Sequence, residues 1–126
     1  MKRLWIAAAM AVLIAAICLI GGNTVRTSGN ELIRRIEKAR TLAEQGDMAG
    51  ATREAKATET YWIATEQKVT LFVDHKSVDE IGAAVSRLAA LAENDDPGEF
   101  LSECSQAIVT TIHMMNHEEM RFYHIF

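Results

Sequence analysis

Proline occurs once in this chain, at Pro97, and cysteine twice, at Cys18 and Cys104. One proline in such a length leaves long stretches without the residue that breaks helices. The two cysteines give no disulfide framework, because Cys18 falls inside an apolar run and Cys104 lies far away in a helical pattern. Cys104 also belongs to an apolar stripe, which makes it a small buried hydrophobe rather than a reactive thiol. Positive charge is in deficit: 13 Lys and Arg stand against 17 Asp and Glu, a formal net charge of -4, and the basic residues are scattered. The electrostatic footprint of a nucleic-acid binder is therefore missing, and no nucleic-acid partner is expected. The chain also lacks a CxxC pair, a glycine-rich phosphate loop and any Ser-His-Asp or Cys-His order. No catalytic residue, no cofactor and no enzymatic activity are expected.

What the chain has in quantity is apolar and helix-forming side chains. With 126 residues, 49% of them hydrophobic, there is room for one membrane segment and a single small domain. The opening "MKRLWIAAAMAVLIAAICLIGG" places Lys2 and Arg3 before a run from Leu4 to Ile20 that holds no charged or strongly polar side chain. At about 1.5 Å per residue the run covers roughly 26 Å, close to the thickness of a hydrocarbon core, with Trp5 near one interface. The bilayer is thus the expected partner of residues 4–20. A cleaved signal peptide is the rival reading, but it calls for a shorter apolar core and an A-x-A-like site, and only Gly22 and Thr24 supply a small-x-small pair. A lipoprotein site at Cys18 would need a small residue where Ile17 stands. Lys2 and Arg3 precede the run and only Arg26 follows closely, so the positive-inside rule puts the amino terminus in the cytoplasm and the rest outside.

The expected organisation is an anchor at 1–22, a linker at 23–30 and a helical extracytoplasmic domain at 31–126. "GGNTVRTSGN" reads as the linker, closing on Asn30 as a helix N-cap. A first domain helix over 31–45 aligns Leu32, Ile36, Ala39 and Ala43 at helical spacing, and Gly46 with Asp47 predicts a tight turn. A second helix over 48–74 carries Met48, Ala51, Ala55, Thr58, Trp62, Val69 and Val73 on one side, with Phe72 at the edge. Ser77 and Glu80 have capping-box spacing and predict a third helix over 78–93, aligning Ile81, Val85, Leu88 and Ala92, either separate from the second or continuous with it as one kinked rod, depending on how far "DHKS" breaks the register. Asp96 before Pro97 opens a fourth, whose core stripe is expected to be Leu101, Cys104, Ile108, Ile112, Met115, Phe122 and Phe126. The fold class is all-α: an N-terminal transmembrane helix followed by a small antiparallel bundle of three or four helices, with Trp62, Phe72, Phe100 and Phe122 as aromatic anchors.

Chemistry-bearing residues gather near the carboxy terminus. His113, His117 and His124 fall on the side of the fourth helix opposite its expected stripe, and His113 with His117 at i, i+4 can reach one divalent ion. A metalloprotease needs Glu directly after the first His, where this chain has Met114. A solvated polar face, a two-histidine metal site and a pH-responsive contact are the three readings of that stripe. Glu66 and Glu119 lie within apolar stripes, where a carboxylate has to find a donor or stay at the rim; Arg34, Arg35 and Lys68 are candidate donors, and the alternative is a functional carboxylate pair.

The basic tip and single span, Trp62 with Glu66 on a long helix, "DHKSVDEI" from Asp74 to Ile81 and the closing "HIF" together resemble a domain-of-unknown-function family of small single-pass bacterial membrane proteins, DUF4363. The family's usual residue before the terminal "IF" is asparagine, and here it is His124 after "RFY". The resemblance covers nearly the whole chain and implies a single-pass protein of Gram-positive, often spore-forming bacteria, with no activity assigned. A non-catalytic interaction module at the membrane is the expected role, binding an envelope protein or a second copy of itself. The alternatives are an extracytoplasmic metal or small-ligand sensor using His113, His117 or the glutamates, and a soluble secreted helical protein.

Overall fold

The computed structural model describes the backbone of residues 1–125 and the side chains of residues 1–117. Four helices follow one another: α1, Lys2–Glu44; α2, Met48–Thr70; α3, His75–Glu93; and α4, Pro97–Ile125. Among the described residues there is no strand. Each helix packs on its chain neighbours and α4 closes against α1, an up-down-up-down four-helix bundle. The all-α bundle expected from the sequence is the fold observed.

Short connections enforce this topology. After α1, Gly46 adopts φ 85° and its N–H donates to the Ala43 carbonyl at 3.1 Å, while the Asp47 N–H reaches Leu42 at 2.9 Å. That is the Schellman pair of bonds, which closes the helix end and reverses the chain. Asp47 then caps α2 by accepting from the Gly50 N–H at 2.9 Å. The α3 to α4 turn repeats the device with Asp95 in the left-handed region at φ 54°, and Asp96 caps α4 through the Glu99 N–H at 3.2 Å. Capping of α3 differs from the expectation. Asp74, not Ser77, is the N-cap, accepting from the Ser77 N–H at 3.2 Å, so α2 stops at Thr70 and α3 starts at His75. Aspartate caps at least as well as serine, and the earlier cap adds helical backbone bonds.

The stretch 23–30 is helix rather than linker, and Asn30 is an interior helical residue. Helix α1 runs unbroken for 43 residues, about 65 Å. Its buried positions Gly21, Val25, Ser28, Leu32, Ile36, Ala39 and Ala43 keep a spacing of three and four, with Gly29 buried beside Ser28. The glycines and serine are there because neighbouring helices come close. A Cβ on Gly21 would stand 2.5 Å from a Phe72 ring carbon, and one on Gly29 would stand 2.5 Å from Met115 Sδ. Tertiary contact thus outweighs the weak helix propensity of Gly and Ser.

The core runs the length of the bundle, with Trp62, Phe100, Leu32, Ile36, Ile81 and Leu88 among its largest fully buried side chains. The stripe expected on α3 is buried, and on α2 Ala51, Ala55, Thr58, Trp62 and Val69 are buried while Met48 packs at the edge and Val73 is buried in the turn beyond the helix; on α4 the buried line is Phe100, Cys104, Ala107, Thr111 and Met114. Leu101, Ile108 and Met115 pack at its edge, and Ile112 is 41% exposed. The helix is rotated by nearly one residue from the expected setting, because α4 must face α1 and α3 at once. Thr111 satisfies its hydroxyl on the Ala107 carbonyl at 2.8 Å, which lets a polar residue sit inside. Phe122 and Phe126 lie outside the described side chains.

Candidate functional site

The largest feature without a structural partner is the first half of α1. Its apolar side chains are exposed from Leu4, at 79%, to Ile20, at 61%. From Gly21 onward the same helix buries one face in the bundle. This is the one described helix long and apolar enough to cross a membrane, and it is not the core helix of a water-soluble fold, since almost none of that stretch is covered.

An open groove of about 370 Å³ lies between the start of α3 and α4, lined by Asp74, Lys76, Glu80, Thr110, His113 and His117 among others. Both histidines are exposed, as their rotation on the helix predicts. The structure adds what the histidine spacing left out: the residues facing them come from "DHKSVDE", a segment forty residues away in sequence that the turn after α2 brings alongside. Among the described residues no group of three or more His, Cys, Asp or Glu is arranged to hold a metal ion. The groove offers two imidazoles, a lysine and carboxylates around open space, which suits a solvated polar contact better than a closed coordination sphere.

The glutamates divide. Glu66 is half-buried at the edge of the α2 stripe, and Glu119 lies outside the described side chains. The arginines considered as donors for Glu66 engage Glu31 instead. Arg34 donates to both oxygens of Glu31 at 2.6 and 2.9 Å, and Arg35 donates to it at 3.0 Å. The Arg34 hydrogen bond above all holds the Glu31 carboxyl down at about 2. Arg35 also lies over the Tyr61 ring at 4.7 Å, and the Tyr61 hydroxyl reaches the Ser28 carbonyl at 3.4 Å. The cluster joins α1 to α2 and is structural. Single ion pairs join other neighbours: Lys38 with Glu54 at 3.3 Å, Lys56 with Glu93, and Arg87 with Glu103 at 3.5 Å.

Two buried groups complete the inventory. Burial pushes the Cys104 thiol up to about 12, so it stays protonated and unreactive, as its stripe position implies. Trp62 is 1% exposed and its indole N–H has no hydrogen-bond partner; it faces the backbone of α3 at Gly82.

No curated protein and no solved structure matches the chain. The family profile described as "Domain of unknown function (DUF4363)" matches residues 19–125, from the end of the exposed apolar run through all four helices. The chain therefore belongs to the DUF4363 family.

Proposed function

We propose that this protein is a single-pass membrane protein whose helical bundle stands directly on the outer face of a bacterial cell membrane as a non-catalytic interaction module. The observation that carries this reading is the division of α1 at Gly21, exposed and apolar before it, packed into the bundle after it. Lys2 and Arg3 at the amino-terminal end support a cytoplasmic start, by the positive-inside rule. Against a cleaved leader stands the continuity of the helix: the residues where a peptidase would need an extended segment are helical, and Gly21 is covered by Phe72. On the bundle wall, Val109 and Ile112 on α4 are exposed apolar residues one turn apart, the sort of position a partner helix or a second copy would cover.

Alkaline carbonate extraction of membranes, followed by intact-mass measurement, tests the anchor. The full-length chain is expected in the pellet; a shortened chain in the supernatant would refute it. A metal- or ligand-sensing role for the groove is the second reading, supported by the meeting of His113 and His117 with Asp74, Lys76 and Glu80.

A further inference from the structure

The turn between α2 and α3 stands at the end of the bundle from which the apolar half of α1 emerges. Phe72 fixes this level, because its ring covers Gly21, the residue that follows the exposed run. Residues 4–20 cover roughly 26 Å, less than the ~30 Å of a hydrocarbon core. No flexible spacer holds the bundle off, since 21–30 is packed helix. The end of the bundle is therefore drawn down against the lipid headgroups. At that end Leu71 is 78% exposed, more than any other large hydrophobic of the described bundle. Exposed Lys68 and Lys76 flank it on α2 and α3, with Asp74 committed to capping α3.

We propose that this turn is a second lipid contact: Leu71 enters the boundary between headgroups and acyl chains beside Phe72, and Lys68 and Lys76 meet lipid phosphates. An exposed leucine tip between two lysines has the composition of an interfacial membrane contact, and a site on the membrane-facing end of a tethered domain has lipid as its constant neighbour. The contact would fix the tilt of the bundle relative to the bilayer, which a single helix leaves free to rotate. The inference rests on the reading of residues 4–20 as a span.

The test uses the full chain in vesicles of phosphatidylcholine and phosphatidylglycerol, with Cys18→Ala and Cys104→Ala, and one cysteine carrying a fluorophore at Leu13, Gln45 or His75. Lipids spin-labelled at shallow or deep positions serve as quenchers. Deep quenching is expected at 13, shallow quenching at 75 several-fold above that at the distal turn, 45, and loss of most of the signal at 75 on Leu71→Asp. Deep quenching at 13 with equal quenching at 75 and 45 leaves the anchor standing and overturns the second contact, as does a signal at 75 that Leu71→Asp does not change. Absence of quenching at 13 refutes the anchor itself. Lys68→Glu with Lys76→Glu is expected to weaken the signal at 75 only when phosphatidylglycerol is present; equal signals with and without it overturn the role of the lysines.

Discussion

Glycine at three positions of this protein does two different things, and only the surroundings of each distinguish them. Gly21 has the Phe72 ring where a Cβ would be, at 2.5 Å, whereas a Cβ on Gly82 would meet Trp62 no closer than 3.6 Å. Gly29 resembles Gly21, but its neighbour is the flexible Met115. Gly21→Ala is therefore expected to cost about 1–3 kcal/mol through displacement of the ring. Gly82→Ala, in a helix interior with ordinary contact distance, is expected to add about 0.5–1 kcal/mol. Thermal unfolding followed by circular dichroism in detergent measures both; the same sign for the two substitutions would mean that steric contact does not set their roles. Histidine illustrates the converse. The i, i+4 spacing of His113 and His117 was legible and their exposure followed from it, but Lys76 and Glu80 opposite them were not, since their proximity depends on where the α2 to α3 turn lands.

The helix ends at the first and last turns were readable in the sequence, whereas the caps expected at Asn30 and Ser77 are not the ones used. Gly46 with Asp47, and Asp96 with Pro97, are local signals whose bonds are made within five residues, so no distant contact can overrule them easily. Where two local signals compete, as Asp74 and Ser77 do, spacing alone does not rank them. Asp95 shows a compromise: it takes the left-handed position that Gly46 takes after α1, at a conformational cost that glycine escapes. Asp95→Gly is expected to stabilise the bundle by about 0.5–1 kcal/mol, raising the melting temperature by a few degrees. A fall instead would mean that the Asp95 side chain contributes an interaction to the turn greater than its backbone strain. For α4 the apolar pattern was broad, with Leu101, Ile108, Val109, Ile112 and Met115 spread around the helix, so the choice of buried line passed to the packing against α1 and α3.

At the scale of the molecule, the junction of anchor and bundle decides how the protein sits. If 21–30 is structural helix, a chain starting at residue 21 keeps Val25, Ser28 and Gly29 in the core, and a chain starting at residue 31 loses them. Val25 alone, 2% exposed, contributes about 2 kcal/mol, and the Ser28 carbonyl that meets Tyr61 goes with it. The longer fragment is expected to melt at clearly higher temperature; identical melting would make 21–30 the linker that its Gly, Ser, Thr and Asn content suggests. The three-and-four spacing through Gly21, Val25, Ser28 and Leu32 did carry the signal, but a period written in small residues is masked by their reputation as loop formers. By itself the sequence determined the helical class, the apolar run and the turns at Gly46–Asp47 and Asp96–Pro97, because each depends on residues adjacent along the chain. Only the tertiary structure decided that α1 is continuous, which face of α4 is inside and that Leu71 stands level with the end of the apolar run, because these depend on groups brought together from separate helices.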